Sequence, residues 1–162
     1  MKGLSLIEAL NGNTGIDHVL ITVTGSQRDA HGEENTIELF THGRSHCKNG
    51  VHYISYQETE VSGMEGATTL LKIYPDYCLL VRMGRVEQRQ EFRIGKCCSS
   101  SYVTPYGTMK MGVRTTRLTV TRTADNSRVT GVNIEYELEI DGQWQSANTL
   151  AVIVQGDKKN GH

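Results

Sequence analysis

The sequence lacks the features that define several large classes of protein. No apolar run approaches the ~18 residues that a membrane-spanning helix needs. Only 2 of the 162 residues are proline, which excludes a collagen or a proline-rich linker. The formal net charge is -1, so the chain as a whole is no polycation built for nucleic acid. The start MKGLSLIEALNG has no sustained apolar stretch and no small-residue cleavage site, so we expect a cytoplasmic protein without a secretory signal.

The 4 cysteines are interpreted as reduced thiols. Disulfides are typical of secreted proteins, and nothing in this sequence predicts export. The neighbouring Cys97 and Cys98 are candidates for a redox or metal pair, but adjacent cysteines bridge only through a strained ring. Ordinary loop thiols are therefore the simpler interpretation.

Residues that favour β-strands are abundant. The chain has 17 threonines, 13 valines, 10 isoleucines and 7 tyrosines, a composition that argues against disorder. Near the C-terminus, apolar residues from Val132 to Ile140 share one face of an extended chain, and polar residues from Asn133 to Asp141 share the other. Such a period of two predicts a long strand with one buried and one solvated face.

Turn signals divide the chain into about nine strands. Asp141-Gly142 predicts a tight hairpin, and Pro75-Asp76 predicts another turn. Turn-linked strands at regular spacing indicate a barrel or sandwich, and a closed barrel leaves no edges to protect. We therefore predict an all-β fold, a single antiparallel β-barrel of eight to ten strands. The strands are predicted at about residues 16–26, 35–43, 50–61, 67–74, 77–83, 88–94, 107–123, 129–141 and 144–155.

Three segments lie outside this pattern. Residues 1–16 are predicted to be an N-terminal extension, in which residues 3–10 have the spacing of a short helix before Asn11-Gly12. The segment 95–103 is predicted to be a loop. Residues 156–162 are a polar tail, so the barrel domain is predicted to span residues 17–155, with no second domain.

Four segments carry a resemblance to a known family. They are YISYQETE at 53–60, GATTLLKI at 66–73, LLVRMG at 79–84 and YVTPYGTMKMGVRT at 102–115. In this order and spacing the chain resembles the YwiB-like family of uncharacterised bacterial proteins, found mainly in Firmicutes, over about residues 17–154. The resemblance implies a calycin-like (lipocalin-like) β-barrel. It implies no activity, because the family has none established.

The resemblance also bears on which side chains point into the barrel. Alternation places Tyr56, Glu58 and Glu60 on one face of a strand and Arg82 on one face of another, but it leaves the inner face undecided. Tyrosine, glutamate and arginine recur at these positions in the family, which implies that they point inward. A buried arginine must then meet a carboxylate, a bound anion or water.

These side chains predict a non-enzymatic protein that binds a small anionic or amphipathic molecule in the barrel. The guanidinium of Arg82 would hold the head group, and the tyrosines would offer hydroxyls and ring faces. The Tyr-Val-Thr-Pro-Tyr-Gly segment is interpreted as a corner that closes one barrel end or as a ligand gate. The predicted ligand-binding residues are Tyr56, Glu58, Glu60, Arg82, Tyr102, Thr104, Tyr106 and Tyr136.

Three alternatives to small-molecule binding stay open. The same side chains could form a purely structural salt-bridge and tyrosine network. The stretch from Arg82 to Arg128 has ten basic and three acidic residues, a net charge of +7, and could bind RNA through a basic face. Pairing with glutamates on a neighbouring strand explains most of that charge without a partner. Glu58 and Glu60 could also act as a catalytic acid and base, although no substrate can be named.

No cofactor is predicted from the sequence. The histidines and Cys47 between residues 42 and 52 are metal-capable, but they straddle a predicted turn, so we expect no metal centre. No membrane partner is expected. The sequence leaves the oligomeric state undetermined.

Overall fold

The computed structural model describes residues 16–156. This part of the chain contains ten strands and one 3₁₀ turn, Glu60–Ser62, and no α-helix. Within it, no helix has the length and apolar character needed to cross a bilayer. The strands are β1 (Asp17–Asp29), β2 (Glu34–Lys48), β3 (Val51–Gln57), β4 (Ala67–Ile73), β5 (Cys78–Gly84), β6 (Gln88–Phe92), β7 (Cys97–Thr104), β8 (Gly107–Arg122), β9 (Val129–Ile140) and β10 (Gln143–Gly156).

All ten strands belong to one antiparallel sheet, in the order β6-β5-β4-β3-β2-β1-β10-β9-β8-β7. The two edge strands of this sheet approach each other. Glu87, immediately before β6, and Val103 of β7 exchange two backbone hydrogen bonds of 2.9 Å. The sheet therefore curls into a nearly closed barrel, which confirms the predicted all-β antiparallel barrel of eight to ten strands.

The barrel has two ends, which we name by their connections. The mouth carries the connections at residues 30–33, 58–66, 85–87, 105–106 and 141–142. The base carries the connections at 49–50, 74–77, 93–96 and 123–128, together with the first residue of β1 and the last residue of β10.

The inner face of the sheet forms the core. Ile21, Ile54, Ile73 and Ile134 come from four different strands, and none of them has exposed surface. On β9 the predicted alternation is present, since Ile134 is buried and Asn133 is exposed. Because only every second strand residue needs to be apolar, 37% hydrophobic residues are enough for this barrel.

Two predicted segments differ from the structure. The strand predicted at 50–61 ends at Gln57, because the chain leaves the sheet at Glu58 and turns at Gly63, which has a φ of 79°. The predicted loop at 95–103 contains strand β7. Its polar sequence CCSSSYVT lacks apolar alternation, but its backbone pairs with β8 along its whole length. The helix predicted at residues 3–10 lies outside the described residues.

Candidate functional site

A cavity of about 250 Å³ lies inside the barrel toward the mouth, and we call it the mouth cavity. Four of the eight predicted ligand-binding residues line it, namely Tyr56, Glu58, Arg82 and Tyr136. They come from β3, the chain just after it, β5 and β9, so the barrel brings together residues that are up to 80 positions apart in sequence. The rest of the wall is partly apolar and partly polar, and includes Val23, Leu39, Met64, Leu150, Gln27, Asn35 and Asn148.

Glu58 is a buried carboxylate where β3 leaves the sheet, with 6% of its surface exposed. Its Oε1 accepts a hydrogen bond of 2.8 Å from the hydroxyl of Ser62, and its Oε2 accepts one of 2.6 Å from the hydroxyl of Thr69. Ser62 belongs to the 3₁₀ turn at the mouth. The carboxylate therefore ties the β3–β4 connection to the barrel core.

Arg82 lies on β5, and its side chain is mostly buried. Its Nε lies 3.9 Å from Oε2 of Glu58, close enough for an ion pair but too far for a hydrogen bond. That Nε has no hydrogen-bond partner within residues 16–156. A guanidinium carries five N–H donors, and the one hydrogen bond that this guanidinium makes in the described chain runs from Nη1 to Oε1 of Gln88, at 2.7 Å.

The polar contacts continue from Arg82 to the seam between β6 and β7. The Nε2 of Gln88 donates to the hydroxyl of Ser100 at 3.2 Å, and that hydroxyl donates to Oε1 of Gln90 at 2.7 Å. The Nε2 of Gln90 donates to the carbonyl of Cys98 at 3.1 Å. Buried side chains thus join the two edge strands along this stretch. We call the chain from Glu58 to Gln90 the seam network.

Two tyrosines of the mouth cavity are held in the neutral form. Burial, and then the charge of Glu58, raise the pKa of Tyr56 well above its ordinary value. Burial also raises the pKa of Tyr136, whose ring packs edge-on against Phe92 with ring centres 5.2 Å apart. Both tyrosines therefore keep their hydroxyl protons to a higher pH than an exposed tyrosine does.

The shifted pKa of Tyr56 predicts a loss of stability at high pH. Above pH ~10 the unfolded chain releases this proton while the folded barrel retains it, so the free energy of unfolding falls by about 1.4 kcal/mol per pH unit for this residue. Urea unfolding between pH 9 and pH 11.5 measures the slope. We expect a shallower decline in Tyr56→Phe than in the wild type, whereas Tyr106→Phe, at an exposed turn position, should leave the slope unchanged. Equal slopes in all three proteins would contradict the prediction.

The other four predicted residues lie away from the mouth cavity. Glu60 is exposed on the 3₁₀ turn, so its predicted inward position is wrong, because the alternation stops where β3 ends. Tyr106 lies in the β7–β8 turn and is 90% exposed. The hydroxyl of Thr104 accepts a hydrogen bond from the backbone N–H of Tyr106 and donates one to the carbonyl of Gly107. Both hydrogen bonds stabilise the β7–β8 turn. Tyr102 is partly buried on β7 but does not line the mouth cavity.

Sequence reasoning missed several polar residues of this region. Asn148 on β10 is buried and lines the mouth cavity, and its Nδ2 has no hydrogen-bond partner among the described residues. The alternation along β10 is the sequence signal that could have identified it, since Asn148 shares the inner face of that strand with Val152 and Val154. Gln88 and Gln90 share the inner face with Phe92 in the same way. Ser62 lies outside any strand and gave no comparable signal.

The histidines between residues 42 and 52 do not converge. His46 stacks on Tyr53 with ring centres 4.7 Å apart. His52 is instead buried, with its Nε2 3.8 Å from the Sγ of Cys47. No group of three metal-capable side chains is gathered within residues 16–156. All four cysteines are free thiols.

Several arginines of the basic stretch have partners in the barrel. Arg117 lies 3.9 Å from the carboxylate of Glu135, as expected for neighbouring strands. Arg93 lies 2.8 Å from the carboxylate of Glu91, and its guanidinium lies 3.7 Å from the ring centre of Tyr77. These contacts neutralise part of the predicted basic face. RNA binding stays a prediction.

Comparison with known proteins places the chain in a family. Residues 21–152 match the domain of unknown function DUF1934. The chain belongs to the DUF1934 family. It is similar to the uncharacterized β-barrel protein YwiB of Bacillus subtilis (strain 168), with 22% identity over 125 residues that cover 77% of this chain and 84% of that protein.

The fold of this DUF1934 protein is also that of a solved structure. The crystal structure of the ywiB protein from Bacillus subtilis aligns with a TM-score of 0.73 at 18% identity, covering 88% of this chain and 93% of that one. The predicted resemblance to the YwiB-like family is thereby confirmed. Neither the family nor the relative carries a described activity.

Proposed function

We propose that this barrel is a non-enzymatic cytoplasmic binder of a small amphipathic molecule, with an anionic or acceptor-rich head group, in the mouth cavity. The main support for the proposal is the environment of Arg82. This mostly buried cation lies in the cavity wall and makes one hydrogen bond within the described chain. Buried donors without acceptors cost free energy. A ligand carboxylate would supply acceptors and form charge-assisted hydrogen bonds.

The composition of the wall supports an amphipathic ligand. The apolar side chains of Val23, Leu39 and Leu150 suit a hydrocarbon part, while the amide of Asn148 offers a buried donor for a polar part. A second depression of about 260 Å³ adjoins the mouth cavity and shares Tyr136 and Asn148 with it. Together the two spaces reach the lower range of ordinary ligand pockets.

The charge balance limits the head group. Glu58 offsets the charge of Arg82, so the cavity wall is close to neutral before a ligand enters. A singly charged or neutral acceptor group can share the guanidinium with Glu58, whereas a polyanion would meet repulsion from that carboxylate. With Glu60 outside the cavity, the carboxylate pair that an acid–base mechanism would need is absent from the wall.

Blocking the cavity tests the proposal. Gly25 lines the mouth cavity, and a side chain built on it would meet no atom within 4 Å with its Cβ. We expect native mass spectrometry of gently purified wild type to show a bound small molecule, and Gly25→Leu to lose it because leucine fills the space. The control is Gly156→Leu, at an equally open glycine at the base. Absence of a bound mass in the wild type, or an equal bound fraction in Gly25→Leu, would refute the proposal.

A further inference from the structure

A depression of about 470 Å³ lies on the outer face of the barrel, over strands β1 to β4. Alternation explains which side chains reach it. Val19 on β1 and Ile54 on β3 are buried and point inward, so the residues next to them in these strands point outward. The outward side chains that line the depression are His18, His42, Arg44, Ser55, Gln57 and Thr68.

The register of the strands brings these side chains together. His18 on β1 is the cross-strand partner of Arg44 on β2, and Arg44 is in turn the partner of Ser55 on β3. His42 lies two residues before Arg44 and shares its face. Directly opposed side chains begin about 5 Å apart, and side chains two positions apart on one strand begin about 7 Å apart. The sheet itself therefore holds two imidazoles and a guanidinium beside one another.

Elsewhere the barrel opposes its arginines with carboxylates. At the mouth end of the same two strands, Arg28 is opposite Glu34 and forms an ion pair with it. On β8 and β9, Arg117 is opposite Glu135. Arg44, by contrast, is opposite a histidine and forms no ion pair with another residue of 16–156. A protonated histidine opposite an arginine is a like-charge pair, which destabilises a sheet. A bound anion would remove that repulsion.

The other lining side chains are neutral hydrogen-bond donors. Ser55 and Thr68 offer hydroxyls and Gln57 offers an amide, and no acidic side chain lines the depression. His18 and His42 also interact with other groups of the protein. An imidazole has two ring nitrogens, so one nitrogen can bind an anion while the other keeps its contact.

We propose that this depression is an oxyanion-binding site in which Arg44, His18 and His42 together bind a phosphate-type group. A guanidinium binds such groups through two parallel hydrogen bonds, and protonated imidazoles add further charge-assisted ones. The group is either a free oxyanion or the phosphoryl group of a larger molecule. The site lies on the outer face of the sheet and does not depend on ligand binding in the mouth cavity.

Titration of the folded protein with inorganic phosphate and with ribose 5-phosphate tests this site. Backbone amide resonances are followed by nuclear magnetic resonance at about pH 6, below the ordinary histidine pKa of about 6.5. We expect saturable shifts that centre on Ser55, Gln57 and Thr68. Tighter binding of ribose 5-phosphate would identify the phosphoryl group of a larger molecule as the target, and tighter or equal binding of phosphate would identify the free oxyanion.

Matched variants separate this site from general surface charge. Arg44→Gln is expected to weaken binding of the better probe at least about tenfold. Arg114→Gln, an exposed arginine whose cross-strand partner is Glu137, should bind as the wild type does. His42→Gln is expected to weaken binding about threefold, whereas His31→Gln, at an exposed mouth position, should not weaken it.

The four variants replace exposed side chains, so each is expected to fold as the wild type does. A change in affinity therefore reports the anion contact and not a loss of structure. Absence of saturable shifts with both probes, or equal affinities in Arg44→Gln and Arg114→Gln, overturns the proposal.

Discussion

Replacing Glu58 with alanine is expected to lower the free energy of unfolding by about 3 kcal/mol. The substitution removes the only carboxylate within 4 Å of Arg82 in the described chain and leaves a mostly buried cation uncompensated. It also takes the acceptor from the hydroxyls of Ser62 and Thr69, one of which holds the β3–β4 connection at the mouth. Removing one partner of a buried pair costs more than the pair itself contributes, because the remaining charge stays desolvated.

Glu60→Ala is the matched control for this prediction. Glu60 is two residues away and carries the same carboxylate, but it is exposed and has no ion pair within residues 16–156. Its loss should change the free energy of unfolding by less than about 0.5 kcal/mol. Urea unfolding at pH 7 measures both variants. Equal stability changes at the two positions would show that Glu58 and Arg82 are not coupled in the folded barrel.

Glu58→Gln separates the hydrogen bonds of the carboxylate from its charge. The amide keeps an acceptor for one hydroxyl but cannot balance Arg82, so we expect a stability loss smaller than that of alanine. An anionic ligand would then supply the missing negative charge, and the stabilisation by ligand binding should be larger in this variant than in the wild type. Glu58 and Arg82 of the seam network are thus expected to contribute both to the stability of the barrel and to ligand binding at the proposed site.

The alternation of inward and outward side chains predicts much of this site, because in an extended strand the direction of a side chain follows from its position in the local sequence. Tyr56, Arg82 and Tyr136 lie inside because each follows a buried apolar residue two positions earlier in its strand, namely Ile54, Leu80 and Ile134. Glu58 also points inward, although β3 has just ended. Alternation alone does not say which of the two faces of a strand points into the barrel, because side chains such as Tyr56 and Arg82 occur on buried and on solvated faces. The family resemblance is needed to identify the inner face.

The incorrect predictions concern residues outside the strands, where side chains no longer alternate between two faces, and a segment that becomes a strand only by pairing with its neighbour. Continuing the alternation past the end of β3 predicts that Glu60 points inward, but the 3₁₀ turn rotates it outward. Tyr106 belongs to a tight turn, where its exposure follows from the β7–β8 hairpin. The sequence does not predict β7, because serine and cysteine have little preference for strands and the segment forms a strand only through its pairing with β8.

Gly43 marks a position where the barrel has no room for a side chain, and Gly43→Ala is expected to destabilise it by about 3 kcal/mol. A Cβ there would overlap the Cδ1 of Ile21 and the backbone carbonyl oxygen of Ser55. Ile21 of β1 is fully buried, so its side chain has little room to move, and the carbonyl of Ser55 belongs to β3, so it cannot move without shifting β3 against β2. Thermal unfolding followed by circular dichroism measures the loss.

Gly25→Ala is the control, because an added Cβ at that glycine meets no atom within 4 Å. It should leave stability unchanged or raise it slightly, since alanine restricts the unfolded chain. Gly43 is also the register partner of Tyr56 on β3. A strand shift in Gly43→Ala would therefore displace a residue of the mouth cavity, and any bound molecule should be lost together with stability. Retention of wild-type stability in Gly43→Ala would show that β2 and β3 can separate locally, and the close approach at Gly43 would then not fix the position of Tyr56.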